Sequence, residues 1–216
     1  MTCYATADVR KPLLATLAAV FVAAAFLAPP AAAGKPKQEP FELINPLVSP
    51  EHSQWLMGPI SWMASKKEIE QYLAIVDDPE AEAFIEGFWA ERDPYPERPD
   101  NPLRTTFEER AVKADSLYAE GGLPGRRTDR GTIYVLYGEP DEVDRRVSPD
   151  LGDPLMEVWI YEKGAEKGLD GQRPDREYRF VKRDDMTRFY EPLSEYERKR
   201  RQSRRLPDPR REVVPY

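Results

Sequence analysis

The chain is poor in the residues that carry most protein chemistry. Its 216 residues hold one cysteine, Cys3, and one histidine, His52. Cys3 precedes an apolar run at residues 13–28, which follows Arg10 and Lys11 and ends in Pro29, Pro30 and Ala31-Ala32-Ala33. That layout is a secretory signal peptide with cleavage expected after Ala33, and the run is short for a retained membrane anchor. Cleavage removes Cys3, which excludes disulfides, thiol catalysis and zinc–thiolate sites from the mature chain. A single histidine excludes a zinc site of ordinary composition. Asp93, Asp129, Asp141 and Glu142 offer oxygen ligands, but EF-hand spacing is missing and no metal is expected. Also missing are a Gly-x-Ser-x-Gly elbow, a Gly-x-x-x-x-Gly-Lys-Ser/Thr loop and a Gly-x-Gly-x-x-Gly turn. No cofactor is implied.

What is present is charge and proline. Charged residues make up 33% of the chain and there are 22 prolines, so turns and stiff connectors are expected. The net charge of −7 argues against a nucleic-acid binder. The positive charge is concentrated at one end. Eight basic residues against four acidic ones make residues 194–216 net +4, so the remainder carries −11. Such a tail suits an anionic envelope polymer, lipid headgroups or the acidic body of its own fold; the plainer reading, which is favoured, is a solvated, partly disordered helix.

Residues 121–141 organise the chain. Gly121 and Gly122 end a helical pattern, a glycine-containing loop runs to Gly131, and Thr132-Ile133-Tyr134-Val135-Leu136-Tyr137 reads as a buried strand closed by a turn at Gly138. Gly125 and Gly131 are expected to use positive φ. Upstream, Ser65 and Glu68 form a capping box; Asp78-Pro79 and Asn101-Pro102 each start a helix. Downstream, residues 156–161 and 177–181 have strand character, with a short further strand at 188–190, while 142–147 is polar and ambiguous. Close spacing favours antiparallel pairing. The expectation is a single α+β domain, with a helical N-terminal part followed by a small antiparallel sheet. The division is signal peptide 1–33, proline-rich extended segment 34–63, α+β domain 64–193 and arginine-rich helix or tail 194–216.

Two linked stretches, Phe88-Trp89-Ala90-Glu91-Arg92-Asp93-Pro94 and Pro124-Gly125-Arg126-Arg127-Thr128-Asp129-Arg130-Gly131, resemble the GWxTD-domain family of bacterial envelope proteins. Residues 133–141 and 157–161 are similar to it as well. Arg126 stands where the motif has tryptophan. The resemblance implies a secreted or periplasmic domain and no established catalytic activity.

Arg92, Asp93, Asp129 and Arg130 are expected to pair across the two motif segments, with Thr128 shaping the loop through its backbone. The competing reading has Arg92 and Arg130 grasp a carboxylate or phosphate. Gly125, Arg126, Thr128 and Gly131 complete this candidate binding loop. Trp55, Leu56 and Trp62 offer a candidate partner surface, or else simply core. The leading expectation is a secreted or periplasmic, non-enzymatic interaction module of the cell envelope with a protein partner. The runner-up is an envelope hydrolase using paired carboxylates.

Overall fold

The computed structural model describes residues 40–205. The signal-peptide reading and the last eleven residues of the tail lie outside them. Residues 41–59 are not extended chain. A 3-10 turn spans Pro40–Leu43, followed by helices α1 (Pro50–Ser53) and α2 (Pro59–Met63). Pro50 and Pro59 sit at first helical positions, where a missing N–H costs nothing. Between the 3-10 turn and α1, Asn45 is fully buried, and its amide donates to the Tyr72 and Ile75 carbonyls at 2.9 and 3.0 Å. These carbonyls lie at and just beyond the end of helix α3 (Lys66–Leu73), so the N-terminal segment is tied to the helical layer.

The capping box of α3 forms as expected, with Ser65 and Glu68 each accepting from the other's backbone. Helix α4 (Asp78–Ala90) is capped by Asp77 rather than Asp78. Asp78 instead accepts from the Ser49 backbone N–H at 2.8 Å and sits 3.3 Å from His52 Nδ1, which accounts for the single histidine. Asn101 caps helix α5 (Pro102–Tyr118), and its amide donates to the Trp89 carbonyl at 2.7 Å, so one side chain joins the end of α4 to the start of α5.

The stretch expected to be the central strand is a helix, α6 (Asp129–Tyr137). Residues 131–136 are all buried. A helix apolar all round belongs inside a core, and over nine residues its periodicity is indistinguishable from that of a buried strand. Its ends decide the matter. Thr128 caps the start, and Gly138, at φ 84°, stops it. Arg110 of α5 donates to the Val135 and Leu136 carbonyls at 3.2 and 3.1 Å, satisfying the far end.

The sheet has four antiparallel strands in sequence order: β1 (Glu142–Arg146), β2 (Met156–Ile160), β3 (Glu177–Arg183) and β4 (Met186–Phe189). One face carries Trp159, Tyr178, Phe180 and Phe189 into the main core with α5 and α6; Trp159 lies 5.4 Å from the Tyr118 ring. On the other face Met156, Val158 and Val181 form a small second core. Beside it an ion-pair lattice runs from Asp144 through Arg146 and Glu177 to Arg179. Helix α7 (Glu195–Arg205) follows, opened by the second capping box at Ser194 and Glu197. Helices, then an antiparallel sheet, then a terminal helix make the fold α+β, as expected.

Candidate functional site

The loop before α6 is built on close approach. Neither Gly125 nor Gly131 has positive φ. A Cβ on Gly125 would lie 1.9 Å from the Ala114 carbonyl oxygen, and one on Gly131 would lie 1.8 Å from that of Gly125. The glycines let α5, a 3-10 turn at Gly125–Arg127 and the first turn of α6 touch backbone to backbone. Thr128, 2% exposed, locks the turn: its hydroxyl donates to the Gly125 carbonyl at 2.8 Å and accepts from the Gly131 N–H at 3.1 Å. Asp129 accepts from the Phe189 N–H of β4 at 2.6 Å, tying α6 to the sheet. A third tie comes from the N-terminal segment. Gly58 (φ 74°) packs where a Cβ would stand 2.7 Å from the Arg126 carbonyl oxygen, and Arg127 donates to the Gln54 side chain.

A Gly-x-x-Thr-Asp turn in which the glycine, threonine and aspartate each make a separate structural contact is the core of a known motif, and a match to the GWxTD domain covers residues 47–203. The chain belongs to the GWxTD domain family. No curated protein and no solved structure matches it. At the tryptophan position of the GWxTD motif, Arg126 turns to α5. Its backbone N–H and Nε donate to the Asp115 carboxylate at 2.8 Å each, and Nη2 does so at 2.5 Å. Burial raises the Asp115 pKa, but Arg126 outweighs it and holds the carboxyl below the ordinary range.

The four motif charges of this GWxTD domain do not pair with one another. Arg92 binds Glu68 at 2.7 Å, donates to the Phe88 and Met63 carbonyls, and lies 3.6 Å above the Phe88 ring. Asp93 accepts from the Tyr95 N–H at 2.9 Å. Arg130 is held between Glu157 at 3.2 Å and Glu120 at 3.4 Å, over the Tyr118 ring. Each arginine takes its carboxylate from another element instead, Arg92 from the first turn of α3 and Arg130 from β2. Both arginines offered as ligand clamps are thereby occupied by internal carboxylates. Arg130 Nε and Glu120 Oε1 remain buried without hydrogen-bond partners, so this contact is the looser of the two. The proposed partner surface is largely core. Leu56 is fully buried, half-buried Trp55 packs on Tyr72 and Phe88 at 4.8 and 5.0 Å, and Trp62 packs on Phe189 at 6.0 Å.

Two clefts open elsewhere on the domain. One is lined by Tyr137, Glu139, Asp141, Tyr161 and Glu162. Two of its carboxylates are engaged: Glu139 binds Lys113 at 2.6 Å, which lowers its pKa, and Asp141 accepts from the Glu162 N–H at 2.7 Å. Burial pushes the Tyr137 and Tyr161 hydroxyls well above their ordinary range, so both stay protonated. The other cleft lies at the β3–β4 turn beside α7, and its residues carried no signal in the sequence. Asp150 and Asp153 sit in a polar loop, yet their side chains are only 5% and 1% exposed. Asp153 binds Arg183 at 2.6 Å and Arg201 of α7 at 2.6 Å. Asp150 binds Arg183 at 3.2 Å and accepts from Tyr190 and from the Leu193 N–H. An Asp-Leu-Gly-Asp-Pro turn looks like any surface loop; only the tertiary return of α7 makes it an anchor. Among the described residues, no group of His, Cys, Asp or Glu is placed to hold a metal ion, and no helix is long and apolar enough to cross a membrane.

Proposed function

We propose that this GWxTD domain is a non-enzymatic interaction module of the bacterial cell envelope, secreted or periplasmic, that presents its cationic C-terminal helix to a partner. The observation that carries this reading is how the motif is spent. Thr128, Asp129, Arg126 and Arg130 are all directed onto the chain's own backbone and carboxylates. The motif holds α5, α6 and β4 together and leaves no nucleophile–base pair. The carboxyls whose pKa is displaced are displaced downward, among them Glu68, Asp115, Glu139, Asp153 and Glu177. A general acid needs the opposite shift. By contrast Tyr196, 73% exposed, and Lys199 and Arg200 on α7 face solvent. The apolar run ahead of Ala33 supports an envelope location.

In-cell crosslinking of the tagged protein, followed by affinity recovery and mass spectrometry, tests this beside a version ending at Leu193. A specific envelope protein recovered with the full chain and lost on truncation is the expected result. Recovery of the same abundant background proteins with both versions counts against it.

A further inference from the structure

We propose that the cleft between the β3–β4 turn, the 151–154 loop and α7 binds a phosphate ester of a polyol. It is an open cleft of about 340 Å³ lined by Leu151, Gly152, Asp153, Lys182, Arg183 and Arg201, with the exposed Asp184 beside them. That volume is at the lower end for small-ligand sites and suits a phosphate with a few carbons attached.

Charge is the first argument. Asp150 and Asp153 are surrounded by three guanidiniums, Arg183, Arg198 and Arg201. Of the charged side chains that line the cleft itself, Lys182, Arg183 and Arg201 are basic and Asp153 and Asp184 acidic, so the lining carries one positive charge in excess. Lys182 on the wall has no ion-pair partner among the described residues.

Donor geometry is the second. Arg201 uses Nη1 on Asp153 at 2.6 Å, and its Nε–H and Nη2–H groups make no hydrogen bond among the described residues. A guanidinium presents five N–H groups in a planar fork, and the edge left over matches two oxygens of a phosphate. Asp153 fixes the fork in place, so little side-chain entropy is lost on binding. Gly152, at φ 94°, adds no side chain to the lining.

Asp184 selects the ester. An exposed carboxylate beside the cleft repels any phosphate, ester or inorganic, and a hydroxyl on the ester's alcohol, from which it accepts a hydrogen bond, offsets that repulsion. A phosphate whose alcohol carries free hydroxyls satisfies both Arg201 and Asp184; inorganic phosphate satisfies one.

This inference rests on the interaction reading above and deepens it. Such an ester occurs both as a soluble glycerol phosphate and as a phosphatidylglycerol headgroup. The test titrates glycerol 3-phosphate into the isotope-labelled protein and follows the amides of Gly152, Arg183 and Asp184 and the Arg201 Nε–H by NMR. Saturable shifts confined to these groups are expected, with sodium chloride at matched ionic strength giving none. Arg201→Gln should weaken binding at least about fivefold. Because that change also cuts a tie of α7, Lys182→Gln, which leaves the anchor intact, should weaken binding in the same direction. Co-sedimentation with phosphatidylglycerol vesicles separates the sources: vesicle binding lost in both variants supports the headgroup, and glycerol phosphate binding without vesicle binding supports the soluble ester. Shifts that chloride reproduces, or binding unchanged in both variants, overturn the site. A crosslinked protein partner that persists after such a failure leaves the interaction reading standing.

Discussion

Gly131 is seated on Gly125 so closely that a Cβ on the former would lie 1.8 Å from the carbonyl oxygen of the latter. Backbone occupies the space, so no side-chain motion can relieve the contact. Gly125→Ala and Gly131→Ala should therefore each destabilise the fold by more than about 3 kcal/mol. Gly87, in the middle of α4 with nothing within 4 Å of a built Cβ, is the control. Gly87→Ala should stabilise by about 0.5–1 kcal/mol through helix propensity. Urea unfolding of the three variants checks both signs, and a mild effect at Gly131 would refute the close-approach account.

The same glycines mark what could be read from sequence. Capping signals were legible, because a Ser-x-x-Glu box or an Asn-Pro start acts within one turn: α3, α5 and α7 begin where Ser65, Asn101 and Ser194 place them. The sheet was legible from alternation in β2 and β3. Residues 129–137 misled because local preference and tertiary burial disagree. Thr, Ile, Tyr and Val favour strands, but a run buried on every side with a Thr128 cap and a Gly138 stop is as good a helix. The Asp150–Asp153 anchor was illegible for another reason. Its partner arginines stand 30 to 48 residues away, and no local pattern links them.

Asp129 makes a separable contribution. Its carboxylate accepts from the Phe189 N–H at 2.6 Å, across 60 residues of sequence. Asp129→Ala leaves that backbone donor without this acceptor and should cost about 1–3 kcal/mol. Asp129→Asn keeps an acceptor oxygen and should restore about half of the loss. Hydrogen exchange at the Phe189 amide localises the effect; unchanged protection there in the alanine variant would remove Asp129 from this role.

The β3–β4 connection turns on Asp184 and Asp185, at φ 49° and 63°, between the paired residues Arg183 and Met186. Two left-handed residues in a two-residue hairpin loop form the turn that matches strand twist, and glycine suits its second position best. Asp185→Gly should raise stability by about 0.5–1 kcal/mol, visible as a higher thermal midpoint with unchanged circular dichroism.

Acid should loosen α7 first. Burial alone would raise the Asp153 pKa, but the hydrogen bonds from Arg183 and Arg201, with their charges, hold it below the ordinary value. A carboxyl depressed in the folded state contributes stability above its unfolded pKa of about 3.9, and loses it as pH falls through the folded value. The contribution is thus complete at pH 7 and disappears only below about pH 4. Asp150, Tyr190 and Arg198 face the same anchor, and the arginines stay charged throughout. Asp153→Asn should cost about 2–3 kcal/mol at neutral pH, discounted from a fully buried pair because the Arg201 side chain is 34% exposed. The variant should also flatten the loss of α7 amide protection that the parent protein shows below about pH 4. Protection of α7 that falls in parallel in both proteins would show that the helix is held by something other than Asp153.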